Sequence, residues 1–161
     1  MTDNTLLILN GPGLGDLSNY DGNSYGPLSL QKIESECADL CNELGIAQSF
    51  YQTDDEDEMF RMIVKKSEDF SGLIINPIGY SRAASVEFAM YRSAIKMIAH
   101  LKKPVVEVHI TNIFRQGAEI TKPLQEPEGE MGFICGFGLH SYLLAIKSIQ
   151  KTLVAKGGLT C

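Results

Sequence analysis

Apolar and polar positions alternate between two periods along this chain, and the alternation predicts its elements. The run "TLLILNGPG" at residues 5–13 is continuously apolar and ends in glycine and proline, as a buried strand does on entering a loop. In "SLQKIESECADLCNELG", Leu30, Ile33, Cys37, Leu40, Cys41 and Leu44 recur at helical spacing. Ser29 is placed to cap that helix and Gly45 to stop it. "AQSFYQT" reads as a second strand. "DDEDEMFRMIVKKSEDF" over 54–70 reads as a helix with acids first and lysines later, the arrangement its dipole favours. "SGLIINP" predicts a third strand, residues 84–103 a long helix, and "PVVEVHI" a fourth strand. An irregular stretch of about twenty residues precedes a fifth strand, "GFICGFG", and a last helix over 140–156.

Strands and helices in strict alternation imply a parallel sheet covered on both faces, with right-handed crossovers. The expectation is one α/β domain over residues 1–161, a flavodoxin-like doubly wound five-stranded parallel sheet in the order 2-1-3-4-5. In such folds ligands lie beyond the carboxyl ends of the strands, near the reversal of strand order. The ends of strands one, three and four are therefore where chemistry is sought.

Composition narrows the function classes. Of 161 residues, 44% are hydrophobic and 21% charged, and the net charge is −6. An acidic chain without a Lys/Arg cluster lacks the footprint that nucleic acid requires. The longest apolar stretches are strand-sized, so no membrane span is expected, and the opening run of four apolar residues is too short for a signal peptide. The four cysteines form no CxxC pair; Cys37 and Cys41 share a helix face and read as buried free thiols. A reducing, cytoplasmic setting is expected.

Strand four is finished oddly for a buried strand. Glu107, His109 and Thr111 fall on one face by the two-residue period. A lone histidine there reads most simply as a satisfied core residue. A carboxylate two positions upstream changes that reading, because it can hold one ring nitrogen and leave the other for acid–base work. Asn76, leaving strand three before Pro77, offers a donor and an acceptor to the crevice, or else forms a turn. The glycine-rich loop after strand one is neither a dinucleotide fingerprint nor a P-loop. It carries Tyr20 and Tyr25, either lid residues or surface packing. No metal site and no nucleophile triad is implied.

In order and spacing, "ILNGPGLG", "YG" at 25–26, "IINP" at 74–77, "VVEVHITNI" at 105–113 and "GFICGFGLHSYLLAI" at 132–146 resemble the type II 3-dehydroquinate dehydratases. The resemblance implies the flavodoxin-like fold, no cofactor, a small-molecule carboxylate as substrate, and self-association into trimers and a dodecamer. It further implies that Tyr25 is the base that takes a proton alpha to the substrate ketone and His109 the acid, supported by Glu107. Asn76 falls on the residue that holds substrate and a bridging water. Ile110 and Thr111 fall where backbone amides and a hydroxyl grip the substrate carboxylate.

The departures from the family's pattern touch other groups. Gly13 stands where the family has asparagine, and Tyr20 where it has a lid arginine. A free tyrosine has a pKa near ~10, which a neighbouring cation lowers by roughly 1–3 units. Arg82, at the family's substrate-binding histidine, or Arg115 is a candidate replacement, although Arg82 also reads as a surface arginine near a helix start. The family segment whose arginine binds the substrate's ring hydroxyls is replaced around "AEITKPLQE". Three functions follow as expectations: a dehydratase of 3-dehydroquinate, a diverged lyase, isomerase or cyclase on another substrate in specialised biosynthesis, and a non-catalytic ligand-binding homologue. A flavin role rests on fold analogy alone.

Overall fold

A computed structural model describes residues 4–18, 26–77, 102–116 and 131–157, together with helical Lys96, Ile98 and His100. Its elements are β1 (Thr5–Asn10), α1 (Leu30–Glu43), β2 (Ala47–Gln52), α2 (Glu56–Lys65), β3 (Gly72–Asn76), β4 (Val105–His109), a short 3₁₀ helix (Ile113–Gln116), β5 (Met131–Cys135) and α3 (His140–Ala155). All five strands run parallel in the order β2-β1-β3-β4-β5, the flavodoxin-like arrangement expected. The long helix expected over 84–103 falls mostly outside the described residues.

Alternation along the inner strands splits the core in two. Leu6, Ile8, Ile74, Val106 and Val108 face Ile33, Cys37 and Cys41 of α1 and Tyr142, Ala145, Ile146 and Ile149 of α3. Leu7, Leu9, Leu73, Ile75 and Val105 face Met59 and Ile63 of α2, and Ile98. Both faces of the sheet are thus covered, which is why these strands read as continuous apolar runs.

The helix ends follow their capping chemistry. Ser29 Oγ accepts from the Lys32 amide 3.1 Å away, and Asp55 accepts from the Asp57 and Glu58 amides. Two elements are shorter than expected. Helix α2 ends at Lys65 rather than running to Phe70: the Ser67 hydroxyl donates to the Val64 carbonyl, and Lys103 Nζ donates to the carbonyl of Ser67, so the turn is held by side chains. Strand β5 ends at Cys135 rather than 138, because Gly136 and Gly138 take φ of 88° and 59°, values a strand does not use.

Two close approaches seat the carboxyl ends of β1 and β3 together. The Gly11 amide donates to the Asn76 carbonyl at 2.8 Å. A Cβ on Gly11 would lie 2.2 Å from the Pro77 carbonyl oxygen, so only glycine fits there.

Candidate active site at the carboxyl ends of the strands

Glu107 and His109 lie on the α2 face of β4, one row apart, both buried. His109 Nε2 and Glu107 Oε1 are 2.7 Å apart, the hydrogen bond the two-residue spacing led one to expect. A charge-assisted bond this short fixes the ring's orientation, with Nε2–H donated to the carboxylate. Among the described residues the one buried side-chain polar atom without a partner is Gln48 Oε1. Nδ1 of His109 is the ring nitrogen that Glu107 does not engage. The ring also stands 5.7 Å from that of Phe133, itself 5.7 Å from Phe114, so an aromatic wall borders the pair.

The loop after β4 packs on the turn after β5. The Gly136 amide donates to the His109 carbonyl at 3.2 Å and the Gly138 amide to the Ile110 carbonyl at 2.9 Å. Ile110 is buried in the core, while Thr111 is exposed beyond the strand end. The Asn112 side chain accepts from the Phe114 amide at 3.0 Å and starts the 3₁₀ helix that contains Arg115.

Asn76 goes elsewhere. It sits on the opposite face of the sheet from His109, and its Nδ2 donates to the Tyr142 hydroxyl at 2.8 Å. That hydroxyl donates to Asn10 Oδ1 at 2.7 Å, and Asn10 Nδ2 donates to the Tyr51 carbonyl at 3.0 Å. Sequence reasoning missed Asn10 and Tyr142. A signal existed for Asn10, which leaves β1 before Gly-Pro much as Asn76 leaves β3 before Pro77. For Tyr142 the only hint was a hydroxyl at a core position of α3, which must find a partner when buried.

Gly13 holds φ of 83°, and its amide donates to Asp54 Oδ1 at 3.0 Å. Asp54 also accepts from Gln52 Nε2 at 2.8 Å, so a carboxylate from the end of β2 ties down the first loop. Tyr20, Tyr25 and Arg82 lie outside the described residues. Among the described residues no group of three or more His, Cys, Asp or Glu side chains is placed to hold a metal. No helix there is long and apolar enough to cross a membrane. A cavity of about 710 Å³ lies at the other end of the sheet, between the starts of β4 and β5 and helix α3, and contains none of the candidate residues.

The fold is thus of the flavodoxin-like doubly wound class, with a buried carboxylate–imidazole pair at the carboxyl end of an inner strand. The chain belongs to the class II dehydroquinase family, whose model, "Dehydroquinase class II", matches residues 4–150. It is 32% identical over 148 residues to "3-dehydroquinate dehydratase 1" of Agrobacterium fabrum, covering 92% of this chain and 97% of that protein. It is 28% identical over 156 residues to "3-dehydroquinate dehydratase" of Clostridium botulinum strain Langeland, with 97% of each chain covered. Among solved structures it resembles the type II dehydroquinase from Butyrivibrio crossotus, with a TM-score of 0.71 and 24% identity over 92% of this chain and 99% of that one. Membership sets the chain among hydro-lyases of the 3-dehydroquinate dehydratase type.

Proposed function

We propose that this chain is a cofactor-independent dehydratase that removes water from 3-dehydroquinate or a close cyclic keto-carboxylate. The observation that carries the reading is the buried Glu107–His109 pair at 2.7 Å, on a strand end where the fold binds ligands. Tyr25, as tyrosinate, takes a proton from the carbon alpha to the ketone, and the C–H electrons form an enolate. The enolate returns its electrons to make the carbon–carbon double bond as the C–O bond breaks. His109, with Nε2–H held by Glu107, gives its Nδ1 proton to the departing hydroxyl, which leaves as water. Asn76 holds the substrate and a bridging water near the enolate. Backbone at Ile110 and the Thr111 hydroxyl hold the substrate carboxylate, and Arg82 or Arg115 supplies the cation that lowers the Tyr25 pKa.

The domain is read as a single unit over residues 1–161 that assembles through trimers into a dodecamer in the cytoplasm. Turnover of 3-dehydroquinate tests the mechanism: Tyr25→Phe is expected to lower kcat by roughly 10²–10⁴-fold, the usual worth of a positioned general base. Undiminished turnover in that variant removes Tyr25 from the reaction.

One observation favours a second reading, in which the chemistry is kept but the substrate differs. Gly13 brings no side chain to the loop after β1, and its amide is engaged by Asp54. The donor the family places there is absent, and a carboxylate stands beside it. A site lacking a partner for a substrate hydroxyl loses its discrimination for that hydroxyl. Screening cyclic keto-acids for a proton-exchange reaction in heavy water separates the two readings.

A further inference from the structure

Four groups beneath the carboxyl ends of β1 and β3 form a hydrogen-bonded chain whose direction is fixed at one end. The Tyr51 carbonyl can only accept, so the end of the Asn10 amide that meets it must be Nδ2, 3.0 Å away. The other end of Asn10 is then Oδ1, an acceptor. The Tyr142 hydroxyl, 2.7 Å from that oxygen, must give it its single proton. Towards Asn76 the hydroxyl therefore presents only lone pairs, and Asn76 must answer with Nδ2, at 2.8 Å. The carboxamide of Asn76 cannot be flipped without leaving a buried acceptor facing a buried acceptor. Asn10, Tyr142 and Asn76 are each at most 1% exposed, so no solvent is at hand to repair such a fault.

We infer that Tyr142 is a positioning residue: through Asn10 it sets the polarity of the Asn76 carboxamide, and so which end of that amide is turned from α3 towards the crevice. The role is transmitted over long sequence distance, since Tyr142 lies 66 residues from Asn76 and 132 from Asn10. The helix supplies it without touching substrate. Its ring is wholly buried among the aliphatic residues of the α1/α3 face, which holds the hydroxyl at a fixed height beneath the strand ends. This inference rests on the dehydratase reading only for the kinetic part of its test.

The experiment compares the full chain with Tyr142→Phe, Asn76→Ala and the double variant. Turnover of 3-dehydroquinate should fall about tenfold in Tyr142→Phe, the effect of one misplaced hydrogen bond, chiefly in kcat and with little change in KM. In the Asn76→Ala background the same change should cost no further activity, because the residue acts through Asn76. Solid-state NMR of the ¹⁵N-asparagine-labelled chain gives a reading independent of catalysis. The Asn76 side-chain resonance, assigned by its loss in Asn76→Ala, should shift in Tyr142→Phe. Asn10→Ala, which leaves the Tyr142 ring in place and frees its proton, should reproduce both effects and serves if Tyr142→Phe does not fold. An unmoved Asn76 resonance, or losses that multiply in the double variant, overturns the inference. A wild-type chain that leaves 3-dehydroquinate unchanged overturns the dehydratase reading instead, and the spectral arm then decides the inference alone.

Discussion

His109 Nε2 is held by one buried carboxylate at 2.7 Å, and much depends on that partner. Glu107→Ala removes it and leaves a buried imidazole nitrogen unsatisfied, a change that should destabilise the fold by about 1–3 kcal/mol in denaturant titration. Turnover should fall with it, since the ring loses its fixed orientation. The pair was legible in the sequence because residues two apart on a strand share a face. The polar chain through Tyr142 was not, since its members come from β1, β3 and α3 and meet only through topology. The thiols were also legible from spacing. Burial, with smaller contributions from Cys41, Glu36 and Glu34, pushes the Cys37 thiol up to about 12, and burial pushes Cys41 up to about 11. Both lie above the ordinary value of 9.0, so the unfolded thiols ionise first. Their contribution to stability is complete below about pH 9 and is lost as pH rises towards 12. Alkylation mapped by mass spectrometry at neutral pH should leave peptides containing Cys37 and Cys41 unmodified until denaturant is added; labelling of the native protein contradicts this.

The elements meet through small residues where the site is assembled. Gly11 allows the β1 loop to lie against Pro77, and a Cβ there would meet backbone 2.2 Å away that cannot turn aside. Gly11→Ala should therefore push apart the strand ends carrying Asn10 and Asn76, costing about 1–3 kcal/mol by overpacking and lowering activity together with stability. A thermal melt beside a turnover assay checks it, and an unchanged melting temperature contradicts it. Gly72 plays the matching part deeper in the sheet, where α3 brings the Ile149 methyl to 2.7 Å from where a Cβ would stand. The five strands and helices α1, α2 and α3 were readable from periodicity, as was the Ser29 cap, whereas the 3₁₀ helix at Ile113–Gln116 was not. Where elements stopped was less so. The end of α2 is decided by Lys103, from the stretch just before β4, donating to carbonyls 35 and 36 residues away. Local pattern contains no trace of that contact.

At the scale of the molecule, the doubly wound sheet sets two polar constellations on opposite faces of one edge. Glu107 and His109 lie on the α2 face, and Asn10, Asn76 and Tyr142 on the α1/α3 face. The order 2-1-3-4-5 was readable because alternating strands and helices admit few topologies. The division of the site between faces was not, because the sequence assigns residues to strand ends without saying what each helix brings beneath them. The proposed assembly predicts a sedimentation mass near twelve chains, and a monomer at micromolar concentration contradicts it. The central claim is that this edge dehydrates a cyclic keto-acid. Its most direct test is the absorbance of the conjugated enone that water loss creates, followed on mixing purified protein with 3-dehydroquinate. Wild type should give a rise, and His109→Ala a rate lower by roughly 10²–10⁴-fold. No rise from a folded wild-type chain, or an equal rise in the variant, contradicts it.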